Sequence, residues 1–422
     1  MPTNPLPLAA GTGSSVVVDR CQVCGCTDLR TVLFLGYMPP VNQMRTIGQA
    51  PHEQPAYPAS MLHCPKCELV QLGLIVDPAI LFPPEYPYTS GTTRILRENF
   101  AELYRECKHM IEPVADNLVV DIGSNDGTLL SNFASNHRVH GIEPTDMGHL
   151  ANDERGIPTT VAFFNRESAT KVRDEHGAAT IITATNVFAH MENVHDIIES
   201  ILQLLDDDGA FVCEVHYLMS LIETLQYDTI YHEHMRYYSL TSLKNLLEMH
   251  GLEVFHARRI PTHGGSIRVY SSRKGTRQMQ SSVQTILDEE AATGEAGLNG
   301  LQGRVVNSKL QLLSMLRDIK QRGQRVYGIG APSRASTLVT YTGLDEGIMD
   351  CVLEIKGSYK IGKCMPGTLI PVQEESRLFD DPPDYALLLS WHIAEELMPK
   401  LREKGFRGGF IIPLPEPRIV TE

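Results

Sequence analysis

The stretch Leu118-Val119-Val120-Asp121-Ile122-Gly123-Ser124-Asn125-Asp126-Gly127 constrains this chain most, because an apolar run that ends in an acid and then turns on glycine fits few folds. An apolar run of this kind reads as a buried strand of a parallel sheet covered on both faces. Asp121 closes the strand, Gly123 permits a turn that a Cβ would obstruct, and Gly127 lets the next segment approach a ligand closely. The spacing Asp-x-Gly-x-x-x-Gly departs from the three-glycine dinucleotide fingerprint, and no Lys-Ser/Thr follows to hold phosphate and magnesium. A cradle of Asp121, Gly123, Ser124, Asn125 and Gly127 therefore suits a nucleoside without a pyrophosphate. The bland alternative is a generic α/β turn.

The following segments extend this reading. His140-Gly141-Ile142-Glu143 ends a second short strand in an acid about twenty residues on, so Glu143 is the expected acceptor for a ribose diol. A further strand-like run from Thr180 to Val187 leads into Phe188-Ala189-His190 and would set Asn186 and His190 at the carboxyl edge of the sheet, where ligands bind in open α/β folds. S-adenosylmethionine is the common cofactor of this kind, and methyltransferases carry such a loop.

A formal net charge of -14 without any basic patch argues against general nucleic-acid binding, since phosphate backbones demand basic surface. The first twenty residues have no positive segment leading into an apolar core, and no stretch is long enough to span a bilayer. We expect a disordered leader and a cytoplasmic protein without membrane contact. Nine cysteines are too few for a disulfide scaffold. Four of them form Cys21-x-x-Cys24 and Cys64-x-x-Cys67, about forty residues apart, and four thiolates make a closed tetrahedral site for structural zinc. A redox pair is the alternative, and Cys26 is too close to Cys24 to replace it as a ligand.

Along the chain, a Pro-rich hinge at 82–88 follows the cysteine module, and helical periodicity covers 93–110. Alternating strands and helices from 118 to about 270 describe a doubly wound sheet, with Gly209 to Val215 as one more buried strand. Residues 276–323 read as a connecting helix pair interrupted at Gly294 and Gly297. A second α/β unit opens at Arg325-Val326-Tyr327-Gly328-Ile329-Gly330, a weak fingerprint lacking its last glycine, and continues through strand-like runs ending at Glu354 and Trp391. This loop is expected to hold phosphate or to pack on the central domain.

The densest group of ionisable and phenolic side chains is Asp228-Thr229-Ile230-Tyr231-His232-Glu233-His234-Met235-Arg236-Tyr237-Tyr238. In an extended strand Tyr231, Glu233 and Met235 would face one way and His232, His234 and Arg236 the other, whereas a turn would converge them. Proton chemistry is the favoured reading. A second metal at His232 and His234 and a buried structural network are the alternatives. Tyr86-Pro87-Tyr88 at the hinge and Thr262-His263-Gly264-Gly265-Ser266 would line a cleft beside this group, or else be an aromatic turn and a hairpin turn.

Taken in order, these features resemble the sugar C-methyltransferases of deoxysugar and antibiotic biosynthesis over nearly the whole chain. The motifs include the paired Cys-x-x-Cys units, Tyr86-Pro87-Tyr88, the 121–127 loop, 186–190, Glu233-His234 with Tyr237-Tyr238-Ser239, Gly264-Gly265-Ser266, and Lys360-x-Gly362-Lys363-x-Met365-Pro366-Gly367-Thr368. The resemblance implies an α/β protein with an N-terminal zinc-binding module (18–82), a central Rossmann-like class I S-adenosylmethionine (SAM) methyltransferase domain (83–275) and a C-terminal Rossmann-like α/β domain (276–422) that helps bind a sugar nucleotide. It implies catalytic roles for Tyr231, Glu233, His234, His190 and a hinge tyrosine, Tyr86 or Tyr88, with His234 as the base. The substrate would be a nucleotide-linked 4-keto-6-deoxy sugar, dTDP by preference, methylated through an enolate. Departures from the family pattern at Pro332-Ser333-Arg334-Ala335 and Glu354 bear on the nucleotide or sugar rather than on the reaction. The rival readings are an O- or N-methyltransferase, a non-catalytic zinc-ribbon adaptor, and a reductase using the Gly328 loop.

Overall fold

Every residue of the strand Leu118–Ile122 is buried, because parallel neighbours flank it on both sides: Arg138–Ile142 and Ala179–Thr185. The computed structural model describes residues 15–50, 54–81, 91 and 94–421. In it this strand lies inside a seven-stranded sheet. From one edge to the other the strands are Leu252–Ile260, Ser266–Arg273, Leu205–His216, Ala179–Thr185, Leu118–Ile122, Arg138–Ile142 and Thr159–Thr160. Only Ser266–Arg273 runs against its neighbours. The strand order reverses between Leu118–Ile122 and Ala179–Thr185, so the loops that follow both open over one crevice.

A largely buried ionic network pins the reversed strand. Arg268 Nε donates to Glu214 Oε1 at 2.6 Å and Nη2 to Asn99 Oδ1 at 2.8 Å, while Nη1 reaches Glu106 Oε2. Asn99 Nδ2 returns a bond to Glu214 Oε2 at 2.9 Å. Burial lifts the Glu214 carboxyl above the usual range and Arg268 opposes the shift. The network joins the helix Arg94–Met110 to two strands of the sheet.

A second sheet of six strands forms the C-terminal unit, ordered Val372–Glu374, Cys351–Glu354, Val326–Ile329, Tyr385–Leu388, Gly409–Ile412 and Arg418–Val420. All but the last are parallel, with a switch point beside Val326–Ile329. The helices Ser281–Asn299 and Leu301–Gln321 connect the two α/β units. The first helix runs through Gly294 and Gly297, against the sequence expectation, and breaks only at Gly300. At Gly297 a Cβ would come within 2.6 Å of Ile222, so this glycine serves close packing rather than a bend.

The cysteine module builds a four-stranded sheet from Arg30–Met38, Tyr57–His63, Val70–Leu72 and, from far along the chain, Arg236–Tyr237. Arg236 and Tyr237 pair with Gln71 and Val70. The N-terminal module also touches the C-terminal unit, where Cys364 N donates to Arg45 O at 2.7 Å and Ile47 N to Gly362 O at 3.0 Å. Among the described residues, no helix is long and apolar enough to cross a membrane.

Removing the guanidinium of Arg268 leaves the fully buried Glu214 carboxylate without a counter-charge, held only by Asn99, and takes one of two arginines from Glu106. Arg268→Met is expected to cost about 3–5 kcal/mol of stability. Urea unfolding followed by circular dichroism checks this, and an unchanged midpoint would contradict it.

Candidate active site

The loop after Leu118–Ile122 runs with left-handed backbone at Gly123 (φ 69°), Asn125 (φ 49°) and Gly127 (φ 73°). At Gly123 a Cβ would meet Val187 Cγ1 at 2.5 Å, so glycine is required on two counts. Glu143 stands behind the loop. Its Oε2 accepts from Asn125 N at 3.0 Å, and Oε1 accepts from the Thr145 N–H at 3.0 Å and hydroxyl at 2.6 Å. Asp121 is buried and accepts from Thr183 Oγ1 at 2.6 Å. Burial pushes its carboxyl up to about 7, against the Thr183 bond and with a further push from Glu143 and Glu214. Ser124 is buried beside the strand Arg138–Ile142. Asn186, at φ 58°, turns the chain out of its strand and donates its N–H to Glu214 O at 2.8 Å. No lysine or arginine stands between Asp121 and Gly127, so the donor set fits a nucleoside or cation rather than a phosphate.

The four sulfurs of Cys21, Cys24, Cys64 and Cys67 lie within 4.8 Å of one another, and among the described residues this is the single cluster able to hold a metal. Each Cys-x-x-Cys turn is closed by backbone bonds, Gly25 N to Cys21 O and Glu68 N to Cys64 O, at 3.0 and 2.9 Å. The Cys67 thiol aimed at Cys21 pulls Cys21 down to about 5, against burial and helped by the Cys24 and Val23 N–H groups. Burial instead raises Cys64, and the Cys21 sulfur together with burial raises Cys67, so a cation is needed to hold all four as thiolates, and four thiolates leave no open position on zinc. Cys26 stays outside it.

The ionisable segment is a turn until Arg236. That is why Tyr231 and His234, on opposite faces of a hypothetical strand, stack with ring centroids 4.2 Å apart. His190 sits on another side of His234, at 4.9 Å. His234 Nδ1 donates to Thr229 O at 2.9 Å, so the ring is held as the Nδ1–H tautomer with its lone pair on Nε2. Burial holds His234 well below its ordinary pKa, with His190 adding to the shift and the Thr229 bond opposing it. Burial likewise pushes His190 down to about 4, against backbone bonds to Glu233 and Asn186. The Glu233 carboxylate is buried, accepts from Asn42 Nδ2 at 2.7 Å, and lies near enough to Tyr359 and Lys360 to act on their charge. His232 points away, toward Pro58 O at 3.2 Å and the edge of Tyr57, so the second metal site is not formed. Tyr86 and Tyr88 fall outside the described residues.

Backbone pairing supports this turn from the zinc module. Met235 O accepts from Leu72 N at 2.9 Å and Met235 N donates to Ala189 O at 3.1 Å, so one residue joins the module to the segment bearing His190. Sequence reasoning missed Asn42, for which no local signal existed. It also gave no separate role to Asp228 or Arg334, although both stood in segments it had marked.

Comparison with known proteins follows the same three-part order. A zinc binding domain model matches residues 21–82, a methyltransferase domain model 95–257, and a C-methyltransferase C-terminal domain model 261–415. The chain is 32% identical to the C-methyltransferase NovU of Streptomyces niveus, over 96% of this chain and 97% of the relative. This chain belongs to the C-methyltransferase family. Among solved structures it is similar to the PH0226 protein of Pyrococcus horikoshii OT3, at 15% identity over 46% of this chain and 98% of that one, with a TM-score of 0.36. It is also similar to magnesium protoporphyrin IX methyltransferase of Synechocystis PCC 6803 with bound SAM, at 11% identity over 42% and 79% of the two chains, with a TM-score of 0.32.

The enzyme is thus a SAM-dependent C-methyltransferase with a zinc-binding module, and the loop and cysteine chemistry described above fit both groups. Zinc here ties the cysteine module together. Because that module supplies the strand that Arg236–Tyr237 joins, stripping zinc with a chelator is expected to lower the unfolding temperature and abolish methyl transfer while SAM affinity, read by calorimetry, holds. Full turnover by metal-free protein would contradict this.

Proposed function

We propose that this C-methyltransferase acts on a nucleotide-linked 4-keto-6-deoxy sugar, with dTDP as the nucleotide, and methylates the carbon beside the ketone through an enolate. The observation that carries the reading is the fixed Nδ1–H tautomer of His234, which leaves the basic lone pair on Nε2. A carbon nucleophile needs a base for a C–H proton. Methylation of an existing oxygen or nitrogen lone pair needs less of this equipment.

In this reading His234 Nε2 takes the α-proton and becomes imidazolium. Tyr231 and His190, packed against the same ring, stabilise the developing enolate oxygen, at about 3 kcal/mol for a well-placed donor. Glu233 favours the charged form of the base after proton pickup. A tyrosine of the hinge, Tyr86 or Tyr88, completes the group. When bound, SAM supplies the electrophilic methyl group. Asp121, Gly123, Ser124, Asn125, Gly127, Glu143 and Asn186 hold its nucleoside and amino-acid portions, Glu143 by accepting from the ribose hydroxyls. Cys21, Cys24, Cys64 and Cys67 hold zinc and take no part in the chemistry.

The C-terminal unit supports the sugar nucleotide. Its glycine loop is backed by Glu354, which accepts from Ala331 N at 2.6 Å, and Lys360 donates to Ala331 O. Binding both reactants in one crevice removes the entropic cost of encounter and excludes water. The three units of the reading are 18–82, 83–275 and 276–422, and it sets the enzyme in the cytoplasm.

Incubation with methyl-labelled SAM and a panel of nucleotide-linked 4-keto-6-deoxy sugars, followed by mass spectrometry, is expected to give one product carrying a carbon-bound methyl. A methyl found on oxygen or nitrogen would overturn the reading. His234→Asn and Glu233→Gln are expected to abolish transfer and leave SAM affinity intact. The depressed His234 pKa also fixes a sign: the base is the neutral form, so at saturating SAM, where the site of Asp121 is filled, kcat/KM for the sugar should stay flat as pH falls through 6.5 and drop only at lower pH. A profile already halved at pH 6.5 or above would contradict it.

A further inference from the structure

The carbonyl that holds His234 is itself clamped from the C-terminal unit. Asp228 is fully buried and receives Arg334 Nε at 2.7 Å, Arg334 Nη2 at 2.7 Å and Trp391 Nε1 at 2.7 Å. Arg334 belongs to the helix Ser333–Thr342 that follows the glycine loop, and Trp391 to the turn Trp391–Ile393 that follows the strand Tyr385–Leu388. These two connections open on either side of the switch point of the C-terminal sheet. The guanidinium also lies over the indole, 4.9 Å from its centroid.

The same helix grips the turn at two further points. Arg334 Nη2 reaches Gln226 Oε1 at 3.1 Å, and Thr337 Oγ1 donates to Ile230 O at 3.1 Å. Residues 226, 228 and 230 are therefore fixed from one helix, and Thr229, between the last two, presents the carbonyl that accepts His234 Nδ1–H. A buried bidentate pair adds little net stability, because desolvation offsets its attraction, but its geometry is narrow. That makes it suited to setting the position of a neighbouring atom.

We propose that Arg334 and Asp228 are positioning residues for methyl transfer: their ion pair, completed by Trp391, fixes the Thr229 carbonyl and with it the tautomer of His234. The inference rests on His234 being the base. It gives the C-terminal unit a part in the proton chemistry in addition to substrate binding. Arg334→Lys keeps the charge and loses the fork. Trp391→Phe keeps the ion pair and the packing and removes one donor.

The test uses full-length, zinc-loaded protein with ¹⁵N-labelled histidine, in which His234→Asn identifies the signals of ring 234. Wild type is expected to give the Nδ1–H pattern, and Arg334→Lys a mixture of tautomers. With a dTDP-linked 4-keto-6-deoxyhexose, kcat of that variant is expected to fall about 10-fold or more while KM and SAM affinity hold. Trp391→Phe should move both readouts in the same direction by less, and it carries the test if the lysine variant fails to fold. An unchanged ¹⁵N pattern, or a loss confined to KM or to the unfolding temperature, would overturn the proposal. Methyl transfer retained by His234→Asn would instead remove the base assignment, and the tautomer measurement would still decide whether Arg334 fixes the ring.

Discussion

Residues 226–237 are held from three sides, and the remaining architecture serves that grip. The zinc module pairs with Arg236–Tyr237 as a fourth strand, the C-terminal helix clamps Asp228 and Ile230, and Met235 N bonds to the segment before His190 in the central domain. A turn of mixed ionisable residues has no reason to adopt one shape alone, since its polar groups find water equally well. Burial between three units gives most of these groups fixed partners, although Tyr227 OH, His232 Nδ1 and Arg236 Nε are buried without one among the described residues, and an unmet group costs more than a typical hydrogen bond contributes. Arg236 illustrates this: its guanidinium is buried and donates to Met191 O at 2.6 Å and to Glu192 O.

The two α/β units solve the same problem in the same way. In each, a buried strand runs into a glycine turn, and an acid at the end of the neighbouring strand accepts from a loop N–H: Glu143 from Asn125 at 3.0 Å and Glu354 from Ala331 at 2.6 Å. A carboxylate in this position orients the loop and lends negative charge to its crevice. The central loop has Arg155 on its Asp126 carboxylate, and the C-terminal one has Lys360 on the Ala331 carbonyl.

Much of this was legible in the sequence where a single local pattern decides the structure. The apolar run before Gly123 had to be a buried strand, and two Cys-x-x-Cys units had to meet for either to hold a metal well. The ionisable segment was legible as a cluster but not as a shape, because period-2 alternation separates Tyr231 from His234 while the real turn stacks them. Gly294 and Gly297 looked like breaks, yet tertiary packing against Ile222 keeps the helix whole. Partners supplied from a distance left no local trace. Asn42 meets Glu233 across 191 positions and Arg334 meets Asp228 across 106, and no spacing rule reaches that far.

The central claim is that this gripped turn presents a neutral imidazole to a carbon-bound proton. It is tested most directly by incubating the enzyme in D₂O with a nucleotide-linked 4-keto-6-deoxy sugar, without a methyl donor, and following deuterium entry beside the ketone by mass spectrometry. Wild type is expected to exchange that position well above the buffer rate, and His234→Asn at the buffer rate. Equal exchange by the two proteins would contradict the account.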